Sequence, residues 1–210
     1  MWDEDLGKLM DNLGYTFADR GLLELALSHR SFANERPGRP HNERLEFLGD
    51  AVLDLCVGHL LMTRLPEARE GELTKLRAMM VSTDGLSQTA HDLALGNYLL
   101  LGRGERQTGG QHKASLLADT LEAVVGAVFL DGGYQAAAEL TSRILSQSLD
   151  RAVAGELDRD FKGQLQQLTQ GLKLGTPEYA LVEACGPEHE KTFEVAVLVG
   201  GEELARGEGL

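Results

Sequence analysis

The chain is short of the features that would mark a secreted, membrane-bound or zinc-dependent protein. It has two cysteines, Cys56 in an apolar helical stretch and Cys185 in a strand-like one, neither at metal-ligand spacing. That usage argues against a disulfide framework and offers no cysteine-based zinc site. No apolar run reaches the roughly 18 residues needed to cross a bilayer, and Met1–Leu6 (MWDEDL) lacks the basic-then-apolar order of a signal peptide. A cytoplasmic protein with no membrane partner is expected. Basic residues are scarce as well, 20 against 33 acidic, for a net charge of −13. Nucleic-acid-binding proteins usually carry a basic footprint, so this balance speaks against such a partner unless part of the acidic excess serves to hold divalent ions.

What the chain does have is 42% apolar residues in a length of 210, enough to bury a core in one large or two modest domains. From Leu6 to about Ser148, apolar residues recur at three- and four-residue steps with breaks at Gly or Pro, which predicts six or seven helices. They are Leu6–Leu13, Leu22–Ser28, His41–Leu65, Glu72–His91, Asp92–Leu100, Ala114–Asp131 and Tyr134–Asp150, with a polar loop over 34–40 and a Gly-rich one over 102–110. Beyond residue 154 the period changes. A helix over Phe161–Leu172 precedes alternating segments at Tyr179–Glu183, Thr192–Val199 and Glu202–Arg206, the last two joined through Gly200-Gly201. The reading is mainly α: a helical domain over 1–152, a linker over 153–159 and a small α+β unit over 160–210.

The chemistry lies in the carboxylates. Glu43, Glu46 and Asp50 fall at i, i+3 and i+7, on one face of the long predicted helix. Like charges at these spacings repel and weaken an isolated helix, so the stripe needs a compensating partner. Asp119 and Glu122 form a second pair in a segment that is apolar almost all round (LLADTLEAVVGAVF), which marks a central buried helix. Two readings follow from spacing alone. The acids are solvated faces paired with Arg or Lys, or they converge on a metal ion. An all-oxygen cluster with no His or Cys at ligand spacing selects a hard cation, Mg²⁺ or Mn²⁺, over zinc. Such an ion activates water and steadies the leaving oxygen, as phosphodiester cleavage requires.

His41–Leu53 (HNERLEFLGDAVL) resembles the signature of the bacterial ribonuclease III family. So do Leu13–Glu35 (LGYTFADRGLLELALSHRSFANE), Glu70–Val81 (EGELTKLRAMMV) and Lys113–Tyr134 (KASLLADTLEAVVGAVFLDGGY), four ordered blocks over most of the first domain. The resemblance implies a magnesium-dependent endoribonuclease for double-stranded RNA that acts as a homodimer and leaves 5′-phosphate and 3′-hydroxyl ends with a short 3′ overhang. Processing of ribosomal RNA precursors and other structured RNAs goes with it. By the same resemblance Glu46, Asp119 and Glu122 bind metal, Asp50 and Glu122 are catalytic, and Glu43 and Glu70 line the RNA cleft. Asn42 helps to fix the start of the acid-bearing helix, and Phe47 inserts into a partner subunit. From its place just before the helix of Asp119, Lys113 reads either as a contact to substrate phosphate or as a solvated loop lysine, and His29 reads as a packing histidine.

Residues 160–210 resemble a double-stranded RNA-binding domain. Gln166, Gln167 and Gln170 match the helix that meets the minor groove, and Gly186, Pro187, Glu188 and His189 match the loop that reaches the next one. A-form RNA presents its 2′-hydroxyls in that shallow groove, where it is read by shape. Departing from the family pattern, the sequence stops at Gly209-Leu210, before a last, lysine-rich helix, so the expectation is a partial α-β-β-β domain. Residues 151–210 carry 6 basic and 11 acidic residues. Weakened, salt-sensitive RNA capture and a poorly stable second domain are therefore expected. Two rivals remain at this point. One is a non-catalytic relative, which would be expected to lose acids that are all present here. The other is an unrelated metal-carboxylate bundle, which needs a Glu-x-x-His pair or aspartate-rich helices, and neither occurs.

Overall fold

The computed structural model describes residues 2–36, 38–153, 161–185 and 191–209. It divides into two compact units, Met1–Leu157 and Asp158–Leu210.

The first unit is helical: α1 (Trp2–Leu13), α2 (Arg20–Ala26), α3 (Arg30–Asn34), α4 (Glu43–Arg64), α5 (Glu70–Met80), α6 (Thr83–Asp92), α7 (Arg103–Gln107), α8 (Ala114–Ile144) and α9 (Ser146–Val153). As its composition predicts, α8 runs through the middle, with Leu121, Ala123, Val124, Val125, Ala127 and Val128 fully buried. Against it lies α4, which turns Leu45, Gly49, Val52, Leu53, Cys56, Val57 and Leu61 inward. The two helices approach until backbone meets backbone. A Cβ at Gly49 would sit 1.8 Å from the Glu122 carbonyl oxygen, and one at Gly126 would sit 2.3 Å from that of Leu45. Only glycine allows this crossing, and it brings the acids of α4 beside those of α8.

Four predicted segments differ from what forms. The single helix expected over Glu72–His91 is two, because Ser82 caps a new start: its Oγ accepts from the Gly85 N–H at 3.1 Å and donates to the Met79 carbonyl at 2.8 Å. Asp92–Leu100 yields only a 3₁₀ turn, Leu95–Tyr98, entered through Ala94 in the left-handed region at φ 54°. The Gly-rich loop contains α7, whose first N–H groups find acceptors supplied by α3 and its end: Gly102 donates to Ser31 Oγ at 2.9 Å and Arg103 to the Glu35 carboxylate at 2.7 Å. Finally, the break expected between Ala114–Asp131 and Tyr134–Asp150 is a single residue, Gly133 (φ 73°, ψ −171°), and the second helix ends early, at Ile144, before α9. Asp131 anchors this end. Its carboxylate accepts from the Tyr15 hydroxyl at 2.8 Å and from the N–H groups of Ala18 and Asp19, both at 2.9 Å.

The second unit is a helix, α10 (Phe161–Gly171), followed by an antiparallel sheet in the order β1 (Glu178–Cys185), β2 (Thr192–Val199), β3 (Glu202–Gly209). The predicted Gly200-Gly201 connection forms with both residues at positive φ, 62° and 86°, as a tight two-residue hairpin requires. Among the described residues, no helix is long and apolar enough to cross a membrane.

Candidate active site

Three of the singled-out acids converge. Glu46 from α4 and Asp119 and Glu122 from α8 each offer a carboxylate oxygen, and these atoms all lie within 4.8 Å of one another. All three side chains are half-buried. Glu46 stands in the first turn of α4, where the positive end of the helix dipole favours a carboxylate. Glu122 lies two turns into α8, on the stretch that crosses Gly49. The backbone before this site is pinned: the Asn42 N–H donates to the Ser28 carbonyl at 2.9 Å. The Asn42 side chain does not cap the helix. It is buried and donates instead to the Ala26 carbonyl at 3.2 Å, tying α4 to the end of α2.

The electrostatics are those of a site short of positive charge. Burial, reinforced by the nearby charges of Asp50, Asp119 and Glu46, pushes the Glu122 carboxyl up to about 7. Glu46 is raised by burial and then by Asp119 and Glu43, and Asp119 is raised by burial. No ion pair is found for any of the three among the described residues, so no basic side chain offsets their charge as the ion-paired alternative would require. Three half-buried carboxylates whose pKa values are all raised form an oxygen-lined site that a hard divalent cation fits.

A cleft of about 320 Å³ opens beside the trio, and Glu43, Glu46, Asp119, His29, Arg30 and Ser115 are among the residues that line it. Glu43 lies on the wall, 3.7 Å from both Arg30 Nη1 and His41 Nδ1. Asp50 is solvent-exposed, outside the trio but close enough to act on Glu122. Glu70 begins α5 and accepts from the Thr74 hydroxyl at 2.9 Å; it is not among the residues lining the cleft. Lys113, marked as a phosphate contact, instead pairs with Glu105 at 2.5 Å. His29 Nδ1 meets the Ser31 N–H and hydroxyl at 3.3 and 2.8 Å, so the ring is held as part of the turn into α3. Phe47, one residue from Glu46, points away from the core and is 82% exposed. In the second unit Gln166 and Gln170 are exposed on α10, while Gly186 to His189 and the Gln167 side chain lie outside the described residues. Arg30 and the glycines of the crossing were not singled out from sequence. A glycine inside a 22-residue helix was the available sign of close approach.

The family model described as ribonuclease-III-like matches residues 19–149, and that of the double-stranded RNA binding motif matches residues 161–209. The chain belongs to the ribonuclease III family. Ribonuclease 3 of Oleidesulfovibrio alaskensis is 50% identical over 193 residues, covering 91% of this chain and 84% of the relative. Ribonuclease 3 of Syntrophobacter fumaroxidans is 46% identical over 212 residues, covering 98% and 88%. Among solved structures, the nuclease domain of ribonuclease III from Campylobacter jejuni, described for flexibility in a region involved in dimer formation, matches with a TM-score of 0.62 at 42% identity. It covers 67% of this chain and 95% of its own. With both a ribonuclease III domain and the RNA-binding motif, the chain is a metal-dependent hydrolase, an endoribonuclease of double-stranded RNA.

Proposed function

We propose that Glu46, Asp119 and Glu122 hold Mg²⁺, with Mn²⁺ able to substitute, and that phosphodiester cleavage of the duplex takes place at this centre. The observation that carries the reading is the convergence of three mutually repelling, half-buried carboxylates within 4.8 Å, a cluster that a divalent cation neutralises. When bound, the cation supplies Lewis-acid activation of water and neutralises charge developing on the phosphodiester. The chain's own groups do the rest. Asp50 and Glu122 orient water and substrate there, and Asp50 accepts or releases protons; without a cation Glu122 titrates at about 7, and holding one requires it to be deprotonated. Glu43 contributes from the wall of the cleft, and Glu70, at the start of α5 and not on that wall, meets the RNA outside it. Residues 1–152 form the endonuclease domain, 153–159 a linker, and 160–210 a domain that captures duplex RNA through Gln166, Gln167, Gln170 and His189. The natural substrates are ribosomal RNA precursors and other structured RNAs of the cytoplasm. Incubation of a long duplex RNA with the protein and Mg²⁺ tests this, with 5′-phosphate and 3′-hydroxyl ends expected on the fragments. After chelation, Mg²⁺ and Mn²⁺ should restore cleavage and Zn²⁺ should not. Equal rescue by zinc would count against an all-oxygen site.

The active form is a homodimer. Phe47, Leu55 and Met62 are all exposed and recur along one side of α4, an apolar stripe that a second copy would cover. The Campylobacter jejuni domain, with its region involved in dimer formation, supports this. Phe47→Asp should convert the dimer to monomers in sedimentation and lower cleavage at least tenfold with the helical content unchanged. A variant that keeps the dimer mass would remove Phe47 from the interface.

A further inference from the structure

The cleft presents an electrostatic problem to its own substrate. Its walls carry Glu43, Glu46 and Asp119, yet a polyanion must enter. Lys113, the cation expected to help, is engaged with Glu105. Among the described residues lining the cleft, one permanent cation is left, Arg30. His29 does not share the charge at neutral pH, because burial holds its ring below the ordinary histidine range.

Arg30 is placed rather than merely nearby. It begins α3, and the backbone leading to it is pinned on both sides: the His29 N–H donates to the Leu100 carbonyl at 3.1 Å, Leu100 to Leu27 at 2.9 Å, and Asn42 to Ser28 at 2.9 Å. The guanidinium is free by contrast. It is 67% exposed, and its contact with Glu43, at 3.7 Å, is too long for a hydrogen bond. Its donor fork is therefore available to an anion that offers two oxygens.

We infer that Arg30 grips a backbone phosphate of the RNA in the cleft, exchanging its loose pairing with Glu43 for a bidentate one with substrate. Arg30 is then a positioning residue for RNA beside the acidic centre, and it sets ground-state binding rather than chemistry. This rests on the cleft being the nuclease site proposed above.

The test uses the full chain carrying Glu122→Gln, so that duplex RNA is bound and not cut, at constant Mg²⁺ over a KCl series. Adding Arg30→Gln should weaken binding about tenfold at moderate salt and reduce the slope of log affinity against log salt by about 0.9, the value for one lost phosphate contact. Arg30→Lys keeps the charge and should keep the slope, while losing part of the affinity with the fork. In the cleaving protein, Arg30→Gln should raise KM with kcat within about twofold. An unchanged salt slope in Arg30→Gln, a slope loss equally large in Arg30→Lys, or a loss confined to kcat overturns the inference. Failure of the reading beneath it looks different: the Glu122→Gln parent would still cut, or would bind no duplex at all.

Discussion

Glutamine at position 122 is expected to abolish cleavage and, in the absence of metal, to make the protein more stable. The cleavage loss should reach about a thousandfold, the scale for removing a group that meets developing charge. The stability gain follows from the raised carboxyl. Glu122 moves from an ordinary 4.5 to about 7, so between those values the folded chain binds more protons than the unfolded one. Stability then falls as pH rises through that window and stays lowered above it. Glutamine keeps the shape and removes the ionisation. For a half-buried group, after discounting for solvent screening, the gain at pH 8 should be about 1 kcal/mol, vanishing near pH 4 where the carboxyl is protonated in both states. Urea unfolding in chelator at both pH values measures it. Mg²⁺ reverses the order: it should stabilise the wild type more at pH 8 than at pH 6, since at the lower pH it must displace a proton, and should stabilise the variant much less. A variant no more stable than wild type at pH 8 would falsify the electrostatic account of the site.

The second large effect is expected from a single methyl group. Gly49→Ala puts a Cβ where the Glu122 carbonyl oxygen stands, 1.8 Å away, and no side chain can rotate to make room because both partners are backbone. The helices must part, at a cost of about 3 kcal/mol, the upper range for overpacking. The sign is diagnostic, since alanine for glycine inside a helix ordinarily stabilises by about 0.5–1 kcal/mol. Gly58, about two and a half turns along the same helix with nothing within 4 Å of its Cβ position, is the internal control, and Gly58→Ala should be neutral or mildly stabilising. Activity of Gly49→Ala should fall about a hundredfold even under conditions where it stays folded, because Glu46 shifts against Asp119 and Glu122. Denaturant midpoints and Mg²⁺-dependent cleavage of the two variants decide it; similar behaviour at the two glycines would mean that the crossing gives way.

Much of this site could be read before any coordinates. Glu43, Glu46 and Asp50 share a helix face by spacing, and Asp119 and Glu122 interrupt a helix with no polar side to hide them. The long helix α4, the buried helix that carries Asp119 and Glu122, and the change to strands after residue 154 followed from periodicity alone. What escaped depends on contacts between distant segments. Spacing cannot say that Glu46 joins the α8 acids while Asp50 stays outside the trio, since that is decided by where α4 crosses α8. The split at Ser82 arises from one hydroxyl competing with the helix, within a pattern whose apolar period continues across it. Lys113 read as a free cation because Glu105, eight residues earlier, is turned toward it by α7, a helix too short and Gly-rich to show in the pattern. Arg30 was hidden for the opposite reason, as one charged residue in a short segment whose neighbours only the tertiary structure supplies.

The glycine crossing also bears on how a sequence like this one can drift. Where two helices rest on each other's side chains, every core substitution resets the distance between them slightly. Here the separation at the crossing is set by main-chain atoms, which no substitution elsewhere replaces. Leucines and valines farther along α4 and α8 can then be exchanged in compensating pairs while the spacing between Glu46 and the α8 acids holds. Two residues without side chains act as the fixed stop against which the rest of the core is free to vary.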